Sequence, residues 1–179
     1  MRSNHEIACM IHPPFVDVLR ERLLEKKPLI QFVIGPRQVG KTTGVELLLA
    51  NHQGPVHSVL AEETFGHSHL WLREQWQKAE EAGPRALLVI DEIQKIEKWS
   101  ETVKFLWDKS LKAGKPLKCV FLGSSSLHIH KGLSESLAGR FELIEVPHWD
   151  FEETKKLAPM KFEDYLRFGG YPGSYRFLN

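Results

Sequence analysis

The sequence predicts an α/β domain with a mostly parallel five-stranded sheet between helices, a three-layer α/β/α arrangement. Three observations support this. Five short apolar runs alternate with longer stretches of helical periodicity. Most of the runs are continuously apolar, as strands covered on both faces are. The polar motifs follow directly after such runs, where open α/β sheets bind their ligands.

The elements are justified in order. Phe15 to Leu24 places Phe15, Val18, Leu19, Arg22 and Leu23 at helical spacing ahead of charged Glu25 to Lys27, so an amphipathic helix leads into the domain. Leu29 to Ile34 is a strand stopped by Gly35, and Thr42 to Ala50 a helix ending near Asn51 and Gly54. Val56 to Leu60 reads as a strand, and Leu70 to Ala82 as a helix closed by Gly83-Pro84. Ala86 to Ile90 is a strand running into Asp91-Glu92. Trp99 to Leu111 is a helix with Val103, Leu106 and Trp107 on one side and Gly114 as its stop. Leu117 to Leu122 runs into Gly123-Ser124-Ser125-Ser126, and Phe141 to Val146 is a last strand ended by Pro147. The expected division is an N-terminal extension over 1–28, a core over 29–148, and the start of a C-terminal region over 149–179.

At 179 residues the chain is the size of one domain that can bury a core. The 24 Lys and Arg nearly cancel the 23 Asp and Glu, leaving a net charge of +1 and no global reason to expect nucleic acid or an anionic membrane. Cys9 and Cys119 form no CxxC pattern, which argues against a zinc site or disulfide framework, and Cys119 reads as a buried small hydrophobe. No apolar stretch approaches the ~18 residues of a membrane span, and residues 1–9 lack a signal-peptide core. A soluble cytoplasmic protein is the default expectation.

Gly35-Pro36-Arg37-Gln38-Val39-Gly40-Lys41-Thr42 matches G-x-x-x-x-G-K-[ST] between a strand and a helix, the pattern of a phosphate-binding P-loop. Gly35 and Gly40 are read as permitting backbone angles that strain other residues. Backbone N–H groups from Val39 to Thr43 can point at phosphate oxygens, helped by the positive end of the helix dipole. Pro36 shapes the loop but has no N–H to give. Lys41 can bridge the β- and γ-phosphates and the Thr42 hydroxyl can ligate Mg²⁺, with Thr43 near the α-phosphate or merely opening the helix.

The apolar strand ending in Asp91-Glu92 has the form of a Walker B motif. Asp91 would hold Mg²⁺ through its water shell, and Glu92 would polarise the attacking water. Asp-x-x-Gly is absent at Asp91, where Gln94 occupies the glycine position, and Asn-Lys-x-Asp occurs nowhere. Adenine is thus favoured over guanine, and the expected ligands are ATP and Mg²⁺. If the strand of Leu117 to Leu122 lies between the other two motifs, a hydroxyl of Ser124 or Ser125 could orient the lytic water, a role called sensor 1. The bland alternative is a polar turn with a helix cap. Arg140 precedes the last strand, where it could reach a neighbouring subunit's γ-phosphate in a homo-oligomer or form a structural ion pair. The pairs His67/His69 and His128/His130 lack a third ligand and read as solvated loop histidines. Trp71, Trp76, Trp99 and Trp107 read as packing residues.

With these motifs in place the chain resembles the AAA-like ATPases of bacteria and archaea in the AAA_14 family, often followed by a DUF4143 tail. The resemblance rests on GPRQVGKTT, LLVIDEIQKIEKW, LGSSSL, ESLAGR, DFEE and FGGYP, which together span most of Leu29 to Pro172. It implies a P-loop NTPase fold and a larger C-terminal region after the ATPase core. Because the chain stops at Asn179, just past FGGYP, a truncation after the core is expected.

Overall fold

The computed structural model describes residues 13–25, 29–61, 68–124, 127–157 and 160–173. In chain order the elements are α1 (Pro14–Leu24), β1 (Ile30–Gly35), α2 (Lys41–Leu49), β2 (Val56–Leu60), α3 (His69–Glu81) and β3 (Leu87–Asp91). After a 3₁₀ turn at Ile93–Lys95 follow α4 (Trp99–Lys112), β4 (Lys118–Ser124), α5 (Leu127–Ser136), β5 (Phe141–Glu145), α6 (Phe151–Leu157) and α7 (Phe162–Phe168).

Every residue of β1 is buried, so its alternating side chains need cover from two sides. Ile30, Phe32 and Ile34 enter one core with Leu88, Ile90, Cys119 and Phe121, roofed by Leu72 and Trp76 of α3, Val103 and Trp107 of α4, and Ile129 and Leu133 of α5. Val33 enters the other with Val89, Val120 and Leu122, roofed by Phe15, Val16, Leu19 and Leu23 of α1 and by Val45 and Leu48 of α2. The result is a three-layer α/β/α domain. Its five strands are all parallel, in the order β2-β3-β4-β1-β5. No helix among the described residues is long and apolar enough to cross a membrane.

Several expectations need correction. In α1 the buried stripe is Phe15, Val16, Leu19 and Leu23, while Val18 is exposed. His128 and His130 lie on helix α5, not in a loop. Helices α5, α6 and α7 were not anticipated. For α5 a signal existed, since Ile129, Leu133 and Leu137 recur every fourth residue and are all buried. Cys119 is fully buried, and burial pushes its thiol well above the ordinary value, so it is the expected inert hydrophobe. Cys9 and His67 lie outside the described residues.

Candidate nucleotide-binding site

The strand order places the polar motifs side by side. β4 lies between β1 and β3, so Ser124 pairs in register with Gly35, and Asp91 ends the next strand along. The phosphate loop, the serine and the acidic pair therefore share the carboxyl edge of the sheet, where α/β sheets bind ligands.

Within the loop, left-handed backbone falls at Gly40 (φ 88°) and at Gln38 (φ 64°). Gly35, read from sequence as a second such position, is not among the positive-φ residues. Its glycine is required by close approach instead: a β-carbon there would lie 2.1 Å from the carbonyl oxygen of Val146, whose N–H bonds to Ile34 at 2.7 Å. Lys41 is buried, and its ammonium donates to the carbonyls of Gly35 at 2.8 Å and Pro36 at 2.5 Å. Burial lowers its pKa from the ordinary lysine value, an effect opposed by Glu92 and Asp91 and reinforced by Arg37. The ammonium thus folds back onto the carbonyls of its own loop. Arg37, Gln38 and Thr42 are exposed, Val39 is buried, and Pro36 and Thr43 are half-buried.

The Thr42 hydroxyl donates to Asp91 Oδ2 at 2.7 Å, joining the first turn of α2 to the end of β3. Asp91 Oδ1 accepts the Glu92 N–H at 2.8 Å. Glu92 itself is left-handed, at φ 56° and ψ 41°, a conformation costing a non-glycine residue on the order of 1–3 kcal/mol and concentrated at functional sites. Gln94 then ties the site together. Its amide donates to Glu92 Oε2 in a short bond and to Ser124 Oγ at 3.2 Å, while its own Oε1 is buried without a partner among the described groups. Gly123 makes room for it: a β-carbon there would meet Gln94 Oε1 at 2.6 Å and Ile129 Cδ1 at 2.2 Å. Ser125 lies outside the described residues, so Ser124 is the described member of the serine pair.

Arg140 is elsewhere. Its carbonyl accepts the N–H of Ile30, which puts it at the start of β5, beside the first residue of β1. That is the edge opposite the phosphate loop, about 16 Å away at ~3.3 Å per strand residue. Its guanidinium grips Asp108 of α4 through Nε at 2.7 Å and Nη2 at 3.0 Å. This forked bond holds the Asp108 carboxyl below its ordinary value and raises the arginine.

Two residues at the site escaped the sequence reading. Gln94 was noted only as breaking a guanine-type motif. Trp149 was not singled out at all, yet its indole N–H donates to the Val39 carbonyl at 2.8 Å. Neither contact leaves a local pattern. Spacing from Asp91 could have suggested Gln94, whereas nothing in the sequence announces a bond across 110 residues.

A glycine-bounded loop between strand and helix, with a buried lysine and a threonine bonded to the aspartate that ends another strand of the sheet, defines the nucleotide-binding P-loop domains of ATPase-like type. The chain belongs to one family of these, AAA_14, an AAA domain whose match covers residues 27–155. It is also similar to uncharacterised proteins of Mycobacterium bovis and Mycobacterium tuberculosis, each 30% identical over 181 residues. Those alignments cover 97% of this chain and 38% of each relative, so the chain spans well under half the length of the relatives it matches.

Proposed function

We propose that this chain is an Mg²⁺-dependent ATPase core that binds ATP at Gly35–Thr43 and hydrolyses it to ADP and phosphate. The observation that carries the reading is the 2.7 Å bond from Thr42 Oγ1 to Asp91 Oδ2, which brings a hydroxyl and a carboxylate together beside the phosphate loop. Hard oxygen donors of this kind suit Mg²⁺, which favours few protein ligands together with phosphate and water. Thr42 and Asp91 would hold the ion, and when bound it would neutralise charge on the phosphates. Lys41 exchanges its carbonyl partners for phosphate oxygens. Glu92 orients and polarises the attacking water, and Ser124, joined to Glu92 through Gln94, fixes the same water from β4.

Arg140 stands too far from its own phosphate loop to serve it, so its part in catalysis would be toward a neighbouring copy of the chain. That role competes with its pairing to Asp108. A second reading, a switch that binds ATP and hydrolyses it negligibly, draws support from the Gln94 amide already engaging Glu92 Oε2. Single-turnover hydrolysis of saturating Mg-ATP separates the two. The ATPase reading expects phosphate release that Glu92→Gln abolishes; release no faster than in Glu92→Gln leaves the switch. Residues 149–179 are read as the start of a C-terminal region that follows the core.

A further inference from the structure

The phosphate loop is gripped from outside the motif that defines it. After β5 the chain crosses the loop, and Trp149, nearly buried, directs its indole N–H to the Val39 carbonyl. The ring also covers Gly40, whose β-carbon would stand 4.0 Å from Trp149 Cζ2. In a planar trans peptide the C=O and the following N–H point in opposite directions. A Val39 carbonyl tethered to the indole therefore turns the Gly40 N–H away from it, and the N–H groups of this turn are the phosphate donors of such loops.

Trp149 is in turn held by the segment that follows. Its carbonyl accepts the Tyr165 hydroxyl of α7 at 3.0 Å. Gly170 packs so closely that a β-carbon would fall 1.9 Å from that carbonyl oxygen. Asp150 and Glu153 exchange bonds of 2.8 and 3.0 Å with each other's N–H groups, a capping arrangement that fixes α6 directly after the tryptophan. Phe151 then stacks edge-on against Phe162 and Tyr165, joining α6 to α7.

We propose that Trp149 is a positioning residue that aims the Gly40 N–H at the polyphosphate of a bound nucleoside triphosphate, and that α7 sets nucleotide affinity through it. This rests on the phosphate loop being a nucleotide site. Coupling of this kind is reciprocal, so bound nucleotide also secures α7.

The test compares wild type, Trp149→Phe and Tyr165→Phe by calorimetric titration with Mg-ATP and by amide hydrogen exchange. Trp149→Phe keeps an aromatic ring and deletes the donor, and its affinity should fall about five-fold, the worth of one net hydrogen bond. Tyr165→Phe lies away from the loop and should also weaken binding, by about two-fold or more. Mg-ATP should slow exchange of the α7 amides in wild type and not in Trp149→Phe. If Trp149→Phe fails to fold, the Tyr165→Phe affinity and the wild-type exchange decide. Binding by wild type with unchanged affinity in the folded variants, or a lowered thermal midpoint alone, overturns the proposal. No binding by wild type overturns the nucleotide reading and this inference with it.

Discussion

Among the described residues Lys41 has no acidic partner at hydrogen-bond distance; two backbone carbonyls hold it, and burial works against its charge. A polyphosphate offers that ammonium better acceptors than neutral carbonyls, since hydrogen bonds between charged groups are roughly twice as strong. Lys41→Ala should therefore weaken Mg-ATP binding about ten- to a hundred-fold, the worth of a charged hydrogen bond of ~1.5–3 kcal/mol, as read by calorimetry. Asp91→Asn should remove chiefly the Mg²⁺-dependent part of the affinity. Gly123 makes a separate prediction. An alanine methyl there collides with Ile129 and Gln94, so Gly123→Ala should lower stability by about 1–3 kcal/mol in denaturant unfolding. The residues of the phosphate-loop motif were legible because one loop carries them in fixed order. Gln94 and Trp149 were not, because their partners Ser124 and Val39 become neighbours only through the fold.

Among the elements, β1, β3 and β4 were legible to within a residue or two because both faces are buried and little polar sequence interrupts them, whereas the edge strands β2 and β5 are largely exposed or half-buried. α5 was hidden by serines, histidines and Gly132, whose weak helix propensity is overridden by packing on the sheet. Gly132 itself is needed there, since a β-carbon would lie 2.5 Å from the Trp99 ring. The pairing of α4 with the start of β5 through Asp108 and Arg140 makes a pH prediction. The forked bond lowers the Asp108 pKa in the folded state, so its stabilisation is complete above the unfolded carboxyl value and lost as pH falls through the folded one. Both side chains are about a third exposed, so the pair is worth about 1 kcal/mol or less. Asp108→Asn should lower the thermal midpoint slightly above pH ~5, and the difference from wild type should shrink below pH ~4. Arg140→Ala should cost a similar amount. A fall in ATPase rate that depends on protein concentration would reveal its second role toward a neighbouring copy.

For the whole molecule, the sheet order brings four separate segments to one edge: the loop after β1, the ends of β3 and β4, and the stretch following β5. A ligand touching all of them must stabilise the fold as a unit. Mg-ATP at a hundred times its dissociation constant adds about 2.7 kcal/mol, which for a domain of this size raises the thermal midpoint by roughly 5–10 °C. The same ligand concentration should add only about 0.4–1.4 kcal/mol to Lys41→Ala, roughly half the wild-type gain or less. The most direct test is calorimetric titration of the wild-type chain with ATP, ADP and GTP, each with and without Mg²⁺. The account predicts saturable one-to-one binding of ATP, strengthened by Mg²⁺, tighter than GTP and weakened by Asp91→Asn. No binding of any of the three nucleotides would contradict it.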